Sequence, residues 1–231
     1  MRNLASAIAT QGLPYRWYCE TRFSPVFTEQ FCQVLYSGGC RKIQFGLESH
    51  NQRVLDLMRK DTKIEWIEPT LLSCFKAGIS VHLFFMVGFP TETEEEALTT
   101  IRFTKRMLDI ASIDFNDSFS TRGWSAFSLD KDSDVWKRPD AYRVTLTPCV
   151  EEDLNIQSTY TSHAGLTPQQ AAKVVAQYNL NPFSLLEPTD VIQFSENSMN
   201  VVICEEYEFL SRCRATRGTL EKCVSTIAPC M

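Results

Sequence analysis

An acid at the mouth of an apolar strand needs a reason. Ile43–Leu47 reads as a buried strand that breaks at Gly46, and Glu48 stands where it would end. Downstream, Val54, Leu55 and Met58 mark a short helical segment that finishes on Arg59 and Lys60. A carboxylate in such a place accepts hydrogen bonds from hydroxyls or an ammonium group. A lysine offers a charge-assisted contact to a carboxylate. Val87-Gly88-Phe89 closes another apolar run. Glu20 and Arg22 end a third. Plainer readings exist for each: Glu48 capping a turn, Lys60 and Arg22 as solvated charges, Gly88-Phe89-Pro90 as a strand-ending turn. His50, His82 and His163 are scattered, and His82, inside an apolar run, reads as a satisfied packed residue.

The elements that must position these groups repeat one phrase. Tyr15–Phe23 reads as a strand stopped by Ser24-Pro25. Phe31, Val34 and Leu35 give Thr28–Ser37 a helical face, ended by Gly38-Gly39. Lys42–Leu47 is a strand, Glu65–Ala77 a helix capped by Gly78, and Ser80–Val87 a strand. Thr93 and Glu96 have capping-box spacing, and Glu92, Glu94, Glu95 and Glu96 read as the acidic first turn of a surface helix. Ile110–Phe119 reads as a fourth strand. This β/α alternation predicts parallel strands with right-handed crossovers, in a barrel or a doubly wound sheet. Either places function at the carboxyl ends of the strands, where Arg22, Glu48 and Gly88 should converge. Beyond residue 119 the chain turns polar and loop-rich, with a helix opening at Thr167-Pro168 and short strands at Val191–Phe194 and Val201–Ile203. The expected organisation is an α/β domain over 1–119 and an irregular α+β extension over 120–231.

Composition narrows the function classes. With 44% hydrophobic and 22% charged residues and a net charge of −5, the chain is of ordinary globular type. No basic stripe suggests nucleic acid. No apolar run approaches the roughly 20 residues of a membrane helix. Nothing resembles a secretion signal, so a cytoplasmic location is expected. The nine cysteines form no C-x-x-C or C-x₃-C and read as reduced thiols, mostly buried, with a metal or redox role kept open for the four in the last 30 residues. A βα-barrel enzyme of phosphorylated metabolites is disfavoured, because no glycine-rich loop opens a helix.

Four fragments, in order, resemble the radical S-adenosylmethionine (SAM) superfamily, and within it the branch with cobalamin-binding relatives. They are Trp17–Arg22, Gly38-Gly39-Cys40 leading to Phe45–Ser49, Val54-Leu55 with Lys60, and Met86–Thr93. FSLDKDSDVWKRPDAYRV adds a looser similarity to peptide-modifying members with cobalamin domains. The resemblance implies an incomplete (βα) barrel holding strands three to six of the family's six. It implies SAM as cofactor, with Glu48 facing the ribose or amino group, Lys60 the methionyl carboxylate, Val87, Gly88 and Phe89 the adenine, and Glu20 and Arg22 near SAM or substrate. In the family a C-x₃-C-x₂-C loop holds a 4Fe–4S cluster, and no such loop occurs here.

The resemblance therefore implies a portion of a radical SAM enzyme, with cobalamin-linked methylation of a peptide or natural product as its chemistry, inactive alone for lack of cluster ligands. The alternative is a non-catalytic paralogue or partner subunit that retains the scaffold. A small molecule or peptide would be the substrate of the complete enzyme. With strand two missing, Tyr15–Phe23 is expected at a sheet edge, open to self-association or to completion by another chain.

Overall fold

The computed structural model describes residues 1–147 and 156–179. Its centre is a four-stranded parallel sheet: β1 (Trp17–Thr21), β2 (Cys40–Glu48), β3 (Ser80–Val87) and β4 (Thr121–Ala126), adjacent in chain order. Helices fill the crossovers. α1 (Arg2–Thr10) precedes β1, and α2 (Glu29–Ser37) links β1 to β2. α3 (Gln52–Leu57) and α4 (Ile64–Ala77) link β2 to β3, and α5 (Glu94–Asp114) links β3 to β4. The expected α/β alternation with parallel strands is thus the observed architecture.

Local chemistry explains the helix bounds. The Thr28 hydroxyl accepts from the Phe31 amide at 3.2 Å and starts α2. Gly78 ends α4 at φ +80°, a left-handed cap that costs glycine nothing. Thr93 and Glu96 complete the capping box of α5.

The sheet has two unlike faces. Ile43, Phe45 and Leu47 of β2 and Val81, Leu83, Phe85 and Val87 of β3 are buried with Leu35, Ile67, Leu71 and Met107 from the helices. Each such side chain contributes about 1.5–3 kcal/mol by leaving water. The other face carries Tyr18, Glu20, Gln44, His82 and Phe84, with Tyr18 and Phe84 exposed. Alternation along each strand makes this division.

One element differs from expectation. Ile110–Phe119 is not a strand: α5 runs on to Asp114, and β4 follows at Thr121–Ala126. Met107 and Ala111, one helical turn apart, continue the buried stripe of Ile101 and Thr104, so helical burial overrides the β-propensity of the isoleucines. β4 shows little hydrophobic alternation because Arg122, Gly123 and Ser125 interrupt it.

The described part of the C-terminal region packs as a small irregular layer. It contains β5 (Leu129-Asp130), α6 (Asp134–Lys137), a 3-10 turn (Pro139–Tyr142), β6 (Val144–Leu146), β7 (Gln157-Ser158), β8 (Tyr160–Ser162) and α7 (Pro168–Asn179). Antiparallel pairs β5–β7 and β6–β8 hold it. Phe89 joins it to the sheet through edge-to-face contacts with Phe127 (5.2 Å) and Tyr142 (5.9 Å). Thr167 caps α7 as its sequence suggests. The strands expected at Val191–Phe194 and Val201–Ile203, and Cys149, Cys204, Cys213, Cys223 and Cys230, lie outside the described residues. Among the described residues no helix is long and apolar enough to cross a membrane.

Candidate functional site

Two chain turns make a rim at the carboxyl ends of β2 and β3. On β2 the Ser49 amide donates to the Leu47 carbonyl at 2.7 Å, closing a three-residue turn around Glu48. That turn holds Glu48 at φ +61°, a left-handed conformation uncommon for a non-glycine residue. The Glu48 carboxylate folds back over Gly46, where a β-carbon would sit 2.8 Å from its Oε1. α3 then leads to Arg59 and Asp61, both also left-handed, with Lys60 between them. Lys60 Nζ donates to Glu48 Oε1 at 2.7 Å. The side chains are 33% and 13% exposed, so this partly screened pair contributes roughly 1 kcal/mol.

On β3, Val87 is buried and Gly88 turns the chain at φ +85°. A β-carbon on Gly88 would lie 2.4 Å from that of Ala171, so α7 packs directly against the missing side chain. The Gly88 amide donates to Glu92 Oε2 at 2.7 Å. Thr91 is held at φ +72° by Arg53, whose guanidinium donates to its hydroxyl and carbonyl, each at 3.0 Å, and to both Glu96 oxygens. Left-handed residues on both turns mark a rim whose backbone is over-determined by its surroundings.

Glu92 lies between the turns and is fully buried. Ser49 Oγ donates to Glu92 Oε1 at 3.4 Å and lies equally far from Thr100 Oγ1, which in turn accepts from the His50 amide at 2.8 Å. Burial pushes the Glu92 carboxyl up to about 7. Glu96 adds to the rise, and the Gly88 and Phe89 amides and Ser49 oppose it.

Glu48, Val87, Gly88 and Phe89 all lie at the same end of the sheet, because β2 and β3 are parallel and paired as far as Glu48 and Phe85. Lys60 joins them through the Glu48 bond. Arg22 follows β1 at that end and is exposed. Glu20 sits lower on the open face, in register with Gln44, His82 and Thr121, roughly 10 Å below Glu48 at strand rise. In that row Lys42 Nζ and His82 Nδ1 meet the Thr121 hydroxyl at 3.2 and 2.6 Å. His82 is partnered, as expected, but lies on the open face and not in the core. Burial and Lys42 push its pKa down to about 4.

Sequence reasoning placed Glu92 in the acidic first turn of a surface helix, and this is corrected. The residue precedes the N-cap Thr93 and points inward. Ser49, Thr100 and Arg53 were missed as well. The one available signal was that Glu92 stands outside the capping box, so it had no helical duty to explain it.

The thiols among the described residues do not fit an iron–sulfur cluster. Cys19, Cys32, Cys40 and Cys74 lie toward the helix-covered core, away from the rim. Cys32 and Cys74 face each other at 3.9 Å. The rim itself brings a carboxylate, Glu48, and a cation, Lys60, to one edge, beside a Gly88 that is buried against Ala171.

Comparisons with known proteins bear on this arrangement. Residues 8–104 match the model of the radical SAM superfamily. An uncharacterized methyltransferase of Pyrococcus horikoshii is 29% identical over 124 residues, 53% of this chain and 27% of the relative. The radical SAM methyltransferase TsrM from Kitasatospora setae, with tryptophan substrate and the SAM analogue aza-SAM bound, aligns with a TM-score of 0.58 at 17% identity. That alignment covers 86% of this chain and 42% of the other. TsrM with cobalamin and a 4Fe–4S cluster bound aligns over 56% of this chain and 25% of the other, at 21% identity and a TM-score of 0.45. The alignment over 86% of this chain, at 17% identity, is a likeness of fold. The chain spans about a quarter of the curated relative it matches.

Proposed function

Taking residues 8–104 as a segment of the radical SAM superfamily, we propose that this chain carries the strand-end half of a SAM site. Glu48 is the acceptor for the ribose or amino group of SAM and Lys60 the partner of its methionyl carboxylate. Val87, Gly88 and Phe89 form the adenine edge, and Glu20 and Arg22 lie toward SAM or substrate. The observation that carries the reading is the contact between Glu48 and Lys60 at the rim shared with Gly88. Without ligand, each charge neutralises the other. An amino-acid zwitterion inserted between them replaces one ion pair by two. The proposed reaction of the complete enzyme is methyl transfer to a small molecule or peptide, with cobalamin as a further cofactor, in keeping with the names of the relatives. The described thiols do not fit the cluster, so no redox step is assigned to this chain, and on this reading it cleaves no SAM alone.

The test is calorimetric titration with S-adenosylhomocysteine, which shares the adenosyl and amino-acid ends. Saturable binding that is lost in both Glu48→Gln and Lys60→Met supports the site. Binding that is absent from the unaltered chain, or indifferent to both substitutions, sinks it.

The same ion pair also favours a second reading, a partner subunit or degenerate paralogue, because both charges are satisfied with no ligand present. Anaerobic reconstitution with iron and sulfide tests it: 4Fe–4S absorbance with SAM cleavage by the isolated chain refutes this alternative, and with it the expectation that the chain cleaves no SAM alone. We also propose that the edge of β1, unpaired among the described residues and beside the exposed Tyr18, pairs with another copy or another chain. Light scattering that returns a strict monomer at all concentrations contradicts self-pairing.

A further inference from the structure

A fully buried carboxylate with a hydrogen-bonding load on two different strands is not needed for packing. The hydrocarbon core closes around Leu47 and Val87 without it, and an apolar residue of the same length would avoid the desolvation cost. What Glu92 does that an apolar residue cannot is accept. Its Oε2 takes the amide of Gly88, the residue that turns the chain away from β3. Its Oε1 takes the hydroxyl of Ser49, the residue that closes the Glu48 turn. Its own amide donates to the Phe89 carbonyl at 2.8 Å, and its carbonyl accepts from Leu166 at 2.7 Å, so its backbone is fixed before the side chain acts. Thr100, one turn into α5, extends the link to the His50 amide.

We propose that Glu92 is the positioning residue of the rim, joining the Gly88 turn to the Ser49 turn so that the carboxylate at 48 and the adenine edge at 88 keep one fixed separation. Its ligand consequence rests on the SAM reading above; its geometric consequence does not. A ligand that spans both turns is bound by a rim whose span is already set, and loses affinity when the span is free to vary. Coupling of this kind is reciprocal, so loosening either turn loosens the other.

The full chain is tested in two measurements. Amide hydrogen exchange reads the coupling with no ligand present. Glu92→Met keeps the length and removes the acceptors, and exchange should rise at least tenfold at His50 as well as at Gly88. Glu92→Gln keeps an acceptor for Gly88 and a donor for Ser49 and should hold both amides within threefold of the unaltered chain. Thr104→Val, which removes a buried hydroxyl bonded only within α5, should leave both unchanged and so controls for general destabilisation. If Glu92→Met does not fold, Ser49→Ala takes its place: it leaves the Gly88 bond intact and should still raise exchange at His50 tenfold. Exchange at His50 that ignores both substitutions overturns the proposal.

Titration with S-adenosylhomocysteine then reads the consequence. The dissociation constant should rise at least tenfold in Glu92→Met, or threefold in Ser49→Ala, and stay within threefold in Glu92→Gln and Thr104→Val. Affinity that falls equally in the Thr104 control overturns a positioning role. If the unaltered chain binds no ligand while the exchange coupling holds, the SAM reading fails and the positioning role stands.

Discussion

Glu92 makes the stability of this chain depend on pH in a direction opposite to that of most carboxylates. Its folded pKa is about 7, against 4.5 for the free side chain. Between those values the folded chain keeps a proton that the unfolded chain has released. Stability therefore falls as pH rises through that window, and is flat above it. That difference corresponds to roughly 3 kcal/mol in full, and to about 2.5 kcal/mol between pH 5 and pH 8. Glu92→Gln removes the titration while its amide oxygen still accepts from Gly88 and its nitrogen donates to Ser49. The advantage of the substituted chain over the original should grow by about 2.5 kcal/mol between pH 5 and pH 8. Urea unfolding followed by circular dichroism, at both pH values and one ionic strength, measures the difference. Comparing the two chains cancels the titrations of Glu96, Arg53 and His50 nearby. A stability gap that is the same at pH 5 and pH 8 refutes the reasoning, because a carboxylate in this environment cannot remain ionised without cost.

Three further outcomes are expected. Gly88→Ala should lower stability by about 3 kcal/mol, the sum of a left-handed backbone penalty and an overlap with Ala171; an unchanged urea midpoint contradicts the packing of α7 on this turn. Thr93→Ala should cost about 1 kcal/mol by removing the N-cap acceptor of α5, read from the same unfolding curves. Iodoacetamide should modify Cys19 before the other described cysteines. Cys19 is only partly buried, and a hydrogen bond from Cys40 lowers its pKa, whereas Cys74 is buried and raised by its bond to Cys32. Peptide mapping that finds Cys74 labelled first would contradict this ordering.

The sheet was legible because its strands alternate between a buried and an open face. Ser80–Val87 has the bounds that its hydrophobic run suggested, and Thr28 and Gly78 bracket helices by side-chain and backbone chemistry that is local in sequence. β4 escaped because it is polar on one face and interrupted by Gly123, while the isoleucines before it belong to a helix. The rim was legible only in part. Strand ends can be read from the chain, so Glu48 and Gly88 could be assigned to one edge. The burial of Glu92 depends on Ser49, 43 positions away, and no local pattern reports a contact of that range. Among four clustered acids, helix-dipole logic explained all of them equally well, and it concealed the one that points inward.

Gly46 gives the rim a property that no charged residue confers. The Glu48 carboxylate rests in the notch left by the absent side chain, 2.8 Å from where a methyl group would stand. The atom in the way is the far end of a flexible side chain, which swings aside at little energetic expense, and no backbone has to move. An alanine at 46 therefore redirects the acid away from Lys60 while leaving the fold and the formal charge as they were. Position 46 is a tuning point for the acid's aim, open to a one-carbon change that a charge count would not register.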